Sequence, residues 1–316
     1  MAVYLLRRAG ISVIVLAGIS VFVFGLLHLI YPSPAIDVLG PRANAVTIAA
    51  WNRQHGFAAP VTVQYLRYMT GIIRHGSLGY SYKLNQSVSS LFAERWVRSL
   101  YLVGSELVLS ILIAVPVGIY QAARRNRTSD GVLSAVSFTL YAMPDPFFYL
   151  ILIDLLVFIV PAFNFEASQS SSIWTVMADW RGMTLPIVGG ALLLVAGYSR
   201  YMRSQAIDVL AQDYIKAARA KGLPERLVMT RHLARNACLP MITLVGLSIP
   251  VLLAGNIFAE YIFNYPGLGL LFFNALGNED YPLLLAYTLL GAILTVAGNF
   301  VADVALTVAD PRIRLT

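Results

Sequence analysis

The chain carries a polar segment between long apolar runs, Asp213-Tyr-Ile-Lys-Ala-Ala-Arg-Ala-Lys-Gly222. Alanine is a strong helix former and no Gly or Pro interrupts the segment before its last residue, so the segment predicts a helix. We expect Asp213 to cap the start of this helix and Gly222 to end it in the left-handed conformation. Pro224 suits the first turn of a following helix, with Glu225 near its positive end. The pattern therefore predicts a helix, a sharp corner and a second helix.

The composition places this segment in a membrane protein. Of the 316 residues, 58% are hydrophobic and only 12% are charged, whereas a soluble domain has roughly 25% charged residues. The mean hydropathy is +0.70, and the few polar residues cannot cover such a chain in water. The net charge of +7 does not indicate nucleic acid, because the basic residues lie at the ends of apolar runs, as in inner-membrane proteins.

A transmembrane helix needs about 20 mainly apolar residues, and six stretches of the sequence qualify. The third stretch contains Met143-Pro-Asp-Pro146. Because each half is too short to cross a bilayer, we expect one long kinked or tilted helix there. The six predicted spans are residues 9–30, 100–122, 132–160, 183–201, 239–259 and 283–308.

The distribution of basic residues orients these spans. With the N-terminus inside the cell, 15 of the 23 Lys and Arg residues fall in cytoplasmic segments, as the positive-inside rule requires. The apolar run after Arg7 and Arg8 is too long for a cleaved signal peptide and is expected to remain as an anchor. The sequence therefore predicts a multi-pass protein of the bacterial plasma (inner) membrane, with both termini and the central loop 203–236 in the cytoplasm.

The first external segment, residues 31–98, is long and mixed in character. Apolar residues at helical spacing predict short helices over 46–54 and 60–73, and an amphipathic helix over 88–96 along the outer surface. Three glycines within 71–81 indicate a tight turn.

Several motifs in the expected order resemble one transporter family. Ala217-Ala218-x-x-x-Gly222 resembles the cytoplasmic coupling segment of bacterial ABC-importer permeases, and Asp213-Tyr214 with residues 217–223 resembles its dipeptide/oligopeptide version. Such matches cover nearly the full length of the chain. The other matching blocks are His55-Gly56, Val63-Gln64-Tyr65, Gly76-Ser77-Leu78-Gly79-x-Ser81, the run 260–269 followed by Asp280-Tyr281-Pro282, and Asp310-Pro311-Arg312-Ile313-Arg314.

The resemblance implies an all-α type I ABC importer permease fold, with six transmembrane helices and a cytoplasmic coupling helix. Residues 1–98 would form a first helix with a long external loop, residues 99–308 a core of five helices, and residues 309–316 a cytoplasmic tail. The implied partners are a second homologous but usually non-identical permease, two ATPase subunits that bind ATP and Mg, and an external solute-binding protein.

The same resemblance assigns roles to two sets of residues. The coupling segment would sit in a groove of an ATPase. Its small residues would allow close approach, and its basic residues would pair with acidic residues of the groove. The residues of this chain in the contact would be Asp213, Tyr214, Ala217, Ala218, Arg219, Ala220, Lys221, Gly222, Arg226 and Arg231. An outward-facing turn before the sixth span would contact the solute-binding protein, through Glu260, Tyr265, Pro266, Gly267 and Gly269.

The sequence predicts no catalytic or metal site. It has no Gly-x-x-x-x-Gly-Lys-Ser/Thr loop for ATP phosphates and no Gly-x-Ser-x-Gly elbow. The four histidines are scattered without metal-ligand spacing. The single cysteine, Cys238, allows no intramolecular disulfide and is expected to be a packed thiol. We therefore expect no enzyme in this chain and no cofactor bound by it.

Charged residues in the predicted spans leave two interpretations open. Glu106 and Asp154 can line a passage and meet a peptide's amino terminus, or they can make structural hydrogen bonds to neighbouring helices. For Asp303 we expect a structural role, and Asn256 and Asn299 are expected to join helices.

The motifs favour a permease subunit of an ABC importer for di- and oligopeptides. The same machinery carrying nickel complexes, glutathione or another small solute is an alternative. A proton-coupled secondary transporter using Glu106 or Asp154 is a second, and a membrane scaffold without transport is a third.

Overall fold

In the computed structural model, the chain is almost entirely helical over the residues that the structure describes, 2–31, 33–40, 42–159, 166–170, 172–246, 248 and 255–309. Two short strands, β1 (Tyr80–Ser81) and β2 (Gln86–Ser87), pair antiparallel with Tyr80 opposite Ser87. The helices are α1 (Ala2–Ile30), α2 (Ala35–Leu39), α3 (Ala45–His55), α4 (Val61–His75), α5 (Val88–Ala123), α6 (Thr128–Ala142), α7 (Asp145–Ile159), α8 (Ile173–Ala178), α9 (Trp180–Leu210), α10 (Asp213–Ala220), α11 (Glu225–Leu227), a π-helical segment (Val228–Ala234), α12 (Arg235–Ala237), α13 (Leu239–Gly246), α14 (Ile257–Ile262), α15 (Leu268–Gly277) and α16 (Tyr281–Ala309).

Four helices are long and apolar enough to cross a membrane, or five if α6 and α7 form one broken span. Helices α1, α5, α9 and α16 lie at four of the predicted spans, so these four spans are confirmed to be apolar helices. The middle of the fifth predicted span, residues 247 and 249–254, lies outside the described residues, and only its flanks α13 and α14 are described. The count of six spans therefore stays a prediction.

The third predicted span is not the single kinked helix that we expected. Helices α6 and α7 are each 15 residues long and are bent by 113° at the break between them. Pro144 has no N–H to donate and disfavours a helical conformation for the preceding residue. Met143 accordingly adopts an extended conformation, with ψ 133°. The expectation was wrong because Pro144 ends α6 instead of only kinking one continuous helix.

Helix α5 joins two elements that the sequence analysis had separated. The predicted external helix over 88–96 and the predicted span over 100–122 form one helix of 36 residues, Val88–Ala123. No Gly or Pro lies between the two parts, so nothing interrupts the backbone hydrogen bonds there. At 1.5 Å per residue the helix is about 54 Å long, so it extends well beyond a hydrocarbon core of about 30 Å.

The helices predicted over 46–54 and 60–73 are confirmed as α3 and α4, while their external location stays a prediction. Each ends at a glycine in the left-handed conformation, Gly56 with φ +82° and Gly76 with φ +61°. The Asn44 side chain caps the start of α3 by accepting from the Thr47 N–H at 2.8 Å.

Contacts divide the chain into two compact units, residues 1–98 with 267–316, and residues 99–266. The first unit therefore contains α16, whereas the sequence analysis grouped the last span with the central helices; the predicted functional domains stay a prediction. In the first unit, Phe24 of α1 packs edge-to-face on Tyr65 of α4 and on Tyr281 of α16. Ser81 donates a hydrogen bond to the buried carboxylate of Asp280, and burial raises the pKa of Asp280.

The core of the second unit depends on a close crossing of α5 and α9. A Cβ added at Gly118 of α5 would lie 2.7 Å from the carbonyl oxygen of Ser199 and 2.9 Å from the amide nitrogen of Arg203. These are backbone atoms of α9 and cannot rotate away. Gly118 therefore lets the two helices approach to backbone contact.

Gly118→Ala should destabilise the protein by about 1–3 kcal/mol, since the added methyl group overpacks the crossing. The measurement is the midpoint of thermal unfolding of the purified protein in detergent. Gly104→Ala is the matched control on the same helix, because nothing lies within 4 Å of its added Cβ. A Gly118→Ala midpoint equal to that of Gly104→Ala would contradict this account of the crossing.

Candidate functional site

The predicted corner is present, with one correction at its start. Gln212, in an extended conformation, occupies the N-cap of α10, and no side chain caps the helix there. Asp213 is instead the first helical residue, and its carboxylate accepts from Lys216 Nζ at 2.9 Å. Gly222 has φ +76°, and its N–H donates to the Arg219 carbonyl at 2.9 Å. The left-handed glycine that we predicted to end the helix is thus confirmed.

The helix after the corner has a backbone that the sequence did not predict. The Leu227 N–H donates to the Pro224 carbonyl at 2.8 Å, which starts α11 immediately after the proline. The chain then widens into a seven-residue π-helical segment, Val228–Ala234, before α12. Such segments are rare and occur mostly at functional positions.

One face of α10 is buried in the central unit. Ile215 and Ala218, three residues apart on the helix, are 0% and 6% exposed and belong to the same apolar cluster as Val228 and Leu233. Ala217 and Tyr214 lie on the exposed side. Of these two small residues, which the resemblance places against an ATPase groove, Ala217 is exposed and Ala218 faces the core, so Ala218 does not offer a surface to a partner.

Besides Asp213 and Lys216, two further charges at the corner are engaged within the chain. Across the corner, Arg219 makes a two-pronged contact with Glu225, at 3.1 Å from Nε and 2.6 Å from Nη2. Lys221, Arg226 and Arg231 are exposed, and none has a carboxylate within ion-pairing distance among the described residues. These three cations are therefore the ones available to a partner.

An ion pair with a buried carboxylate links α6 to α9. Arg203 donates from Nε and Nη2 to the two carboxylate oxygens of Asp130, both at 2.7 Å. The Asp130 side chain is 4% exposed and also accepts from the Asn126 N–H at 3.0 Å. The sequence analysis missed this pair, since the two residues are far apart in the chain and no local spacing relates them.

Glu106 lies beside a cavity of about 320 Å³ in the second unit. Asn256 Nδ2 donates to a Glu106 carboxylate oxygen at 3.2 Å and to the Tyr149 hydroxyl at 2.9 Å, which confirms the interhelical role expected for Asn256. Any side chain at Gly190 of α9 would overlap the Glu106 carboxylate. Glu106 therefore makes the structural hydrogen bond that one interpretation expected and also lines a cavity, while a contact with a peptide stays a prediction.

The structure does not bring Asp154 to this cavity. Asp154 is exposed on α7, and the lining residues on that helix are Asp145 and Tyr149. The side chains of Asp303 and Asn299, and the whole block 310–314, lie outside the described residues.

The turn that we expected to face outward is buried. The Glu260 carboxylate accepts from the Ser99 hydroxyl at 2.7 Å, and the Tyr265 N–H donates to the Glu260 carbonyl at 2.7 Å. Tyr261 and Asn264 are exposed in the same stretch. Outward presentation was thus wrong, while a contact with a binding protein stays a prediction. The buried residues are Glu260, Tyr265, Pro266, Gly267 and Gly269.

Comparison with known proteins gives matches over almost the whole chain. The family model described as binding-protein-dependent transport system inner membrane component matches residues 114–315, and the model of the N-terminal part of such components matches residues 1–103. The oligopeptide transport system permease protein AppB of Bacillus subtilis is 34% identical over 320 residues, covering 99% of each chain. A Brucella ovis protein provisionally named a peptide permease is 36% identical over 327 residues, again covering 99% of each. The glutathione transport system permease protein GsiC of Salmonella paratyphi A is 33% identical over 317 residues, covering 98% of each.

Asp130→Asn should lower the stability of the protein by about 2–3 kcal/mol, because the partly buried Arg203 then loses its counter-ion. Thermal unfolding in detergent measures the effect. Asp213→Asn is the matched control: it breaks the exposed pair with Lys216 and should leave the midpoint unchanged, as is usual for surface pairs. Equal midpoints for the two variants would show that the Asp130–Arg203 pair does not hold α6 to α9.

Proposed function

The chain belongs to the family of binding-protein-dependent transport system inner membrane components, and we propose that it forms half of the passage of an ATP-driven importer for di- and oligopeptides. It is a permease subunit of an ABC importer and a multi-pass protein of the inner membrane. In the proposed assembly it has six transmembrane helices with both termini in the cytoplasm. It pairs with a second permease, two ATPase subunits and an external solute-binding protein.

The observation that carries this proposal is the way α10 is attached to the bundle. Its buried side chains, Ile215 and Ala218, share one apolar cluster with Ala114 and Ala122 of α5 and with Met202 and Ala206 of α9. A force applied to α10 therefore acts on both long helices, since a close-packed core transmits strain. Its opposite face is open to a partner.

The proposed mechanism is mechanical. The partner ATPases bind ATP and Mg and supply the chemical step. Ala217 and Tyr214 contact a groove on one ATPase, while Lys221, Arg226 and Arg231 meet acidic residues on its rim. When the ATPases close, α10 moves with them and shifts α5 and α9, which changes the side of the membrane to which the passage opens.

Peptides are the proposed cargo because two of the relatives carry that word in their names. Glutathione, itself a small peptide, is the second candidate, since a relative of similar identity is named for its transport. None of these three relatives is named for nickel. Dependence on a binding protein, which defines the family, argues against the proton-coupled secondary transporter and the scaffold.

Ala217→Trp should lower peptide uptake at least about tenfold, which corresponds to a loss of more than about 1.4 kcal/mol of binding free energy at the contact with the ATPase. The protein should stay folded because Ala217 is exposed. The measurement is uptake of a labelled peptide by the reconstituted assembly, with ATP hydrolysis followed in parallel. Hydrolysis should continue without uptake. Ala123→Trp, at an exposed alanine at the end of α5, is the control; wild-type uptake by Ala217→Trp would refute the proposed contact.

The orientation is tested by labelling intact cells with a membrane-impermeant maleimide in a Cys238→Ser background. Cys238 is half-buried, and burial raises the pKa of its thiol. We expect Arg219→Cys to react only after the membrane is opened, and Ser77→Cys, an exposed position in the predicted external segment, to react in intact cells. The reverse pattern would invert the topology.

A further inference from the structure

A second, larger cavity of about 600 Å³ opens between α6 and α9 in the central unit. Phe138 and Tyr141 of α6 form one wall, and Arg200 and Tyr201 of α9 form the other. Gly197 also lines the cavity, and a Cβ added there would lie 3.9 Å from the Tyr141 ring. The cavity therefore combines aromatic faces with a guanidinium group.

Arg200 is held in this cavity by rings rather than by a carboxylate. Its guanidinium carbon lies 4.0 Å from the centroid of Phe138 and 4.9 Å from that of Tyr141. Among the described residues no Asp or Glu lies within ion-pairing distance of it. Stacking on aromatic faces fixes the plane of a guanidinium and leaves its N–H groups able to donate to an anion.

The neighbouring Arg203 differs from Arg200 because a carboxylate already pairs with it. It also lines the cavity, but the bidentate contact with Asp130 neutralises it. The positive charge that the cavity presents to an entering molecule is therefore that of Arg200.

Arg200 lies near the end of the predicted span 183–201 and is one of the basic residues that orient the spans. Helix α9 is a candidate membrane span, and a cation near the end of such a helix faces a wet cavity or the membrane–water interface rather than lipid tails. Ser134 and Tyr201 add hydroxyl groups to the same cavity. A wet cavity on one side of the subunit is what half of a passage requires.

We propose that Arg200 binds the carboxylate of the solute as it passes through this subunit. A carboxylate fits two parallel guanidinium N–H donors in the plane set by the rings. This inference rests on the proposed function, and it adds a recognition site for the solute's anionic end within the permease itself.

The other cavity of the same unit supplies a carboxyl group that can accept from an amino group. Tyr198 lines both cavities, and Glu106 contacts Gly190 on the same helix, ten residues before Arg200. Ten helical residues span about 15 Å, close to the length of an extended peptide of about four residues. A short zwitterionic peptide can therefore lie along α9 with its amino group toward Glu106 and its carboxylate at Arg200.

The test uses the complete reconstituted assembly and two probes, trialanine and trialanine amide, which differ in the terminal carboxylate. We expect Arg200→Gln to lower the ratio of trialanine uptake to amide uptake about tenfold, the usual effect of losing a hydrogen bond to a charged group. Arg200→Lys should restore part of the ratio, because it keeps the charge but not the fork. The binding protein is the same in every assay, so its own preference cancels from the comparison.

Arg124→Gln is the matched control. Arg124 also lies over an aromatic ring, that of Tyr120, at 5.7 Å, but outside either cavity. The ratio of trialanine uptake to amide uptake in Arg124→Gln should equal that of the unsubstituted protein. Equal losses of both probes in Arg200→Gln would mean that Arg200 is structural and would overturn the proposal, as would an unchanged ratio.

The alternative source of an anion is a lipid phosphate. Vesicles of phosphatidylcholine, with and without phosphatidylglycerol, separate the two. The proposal would be overturned, and Arg200 assigned to lipid, by the following result. Uptake by the unsubstituted assembly depends on phosphatidylglycerol, Arg200→Gln removes that dependence, and the ratio of trialanine uptake to amide uptake does not change. Failure of the unsubstituted assembly to carry either probe would instead refute the peptide function, together with the inference that rests on it.

Discussion

The close crossing of α5 and α9 is the constraint on which the second unit depends. At Gly118 the helices meet with backbone atoms of α9 in the space where a side chain would be, and at Gly190 the Glu106 carboxylate occupies the corresponding space. Dispersion contacts at such short range need small residues, because without them the helices would separate and leave the apolar cluster underpacked. The cavity beside Glu106, the Arg203 side chain and the base of the corner at Gly222 all take their positions from this pair of helices.

Polar groups in the unit follow the rule that a buried charge needs a partner. Asp130 is neutralised by Arg203, and Glu260 accepts from Ser99. Glu106 accepts from Asn256, which also joins Tyr149 to the same network. Each of these contacts links helices that are distant in the chain, so the polar groups determine which helices are neighbours while the apolar surface supplies most of the stability.

Local interactions set the shape of the corner at Gly222, and contacts with distant residues attach it to the bundle. The left-handed Gly222 and the following proline set the angle of the chain, and the Arg219–Glu225 contact spans the corner. The attachment comes from Ile215 and Ala218, whose burial makes α10 part of the core. A short helix of eight residues would be marginal alone, and packing stabilises it.

Composition and local motifs were enough to predict the features that follow from local chemistry: the helical class, the apolar helices α1, α5, α9 and α16, the corner ending at Gly222, and the family motifs. Periodicity and composition report what each segment does with its own backbone and with the membrane. Only the tertiary structure shows that Ala218 and the 265–269 turn are buried, that Asp130 pairs with Arg203, and that Arg200 packs against two rings with no carboxylate partner among the described residues. Those outcomes depend on which residues, tens of positions apart, share a space, and pairwise packing of that kind leaves no periodic trace in a single chain.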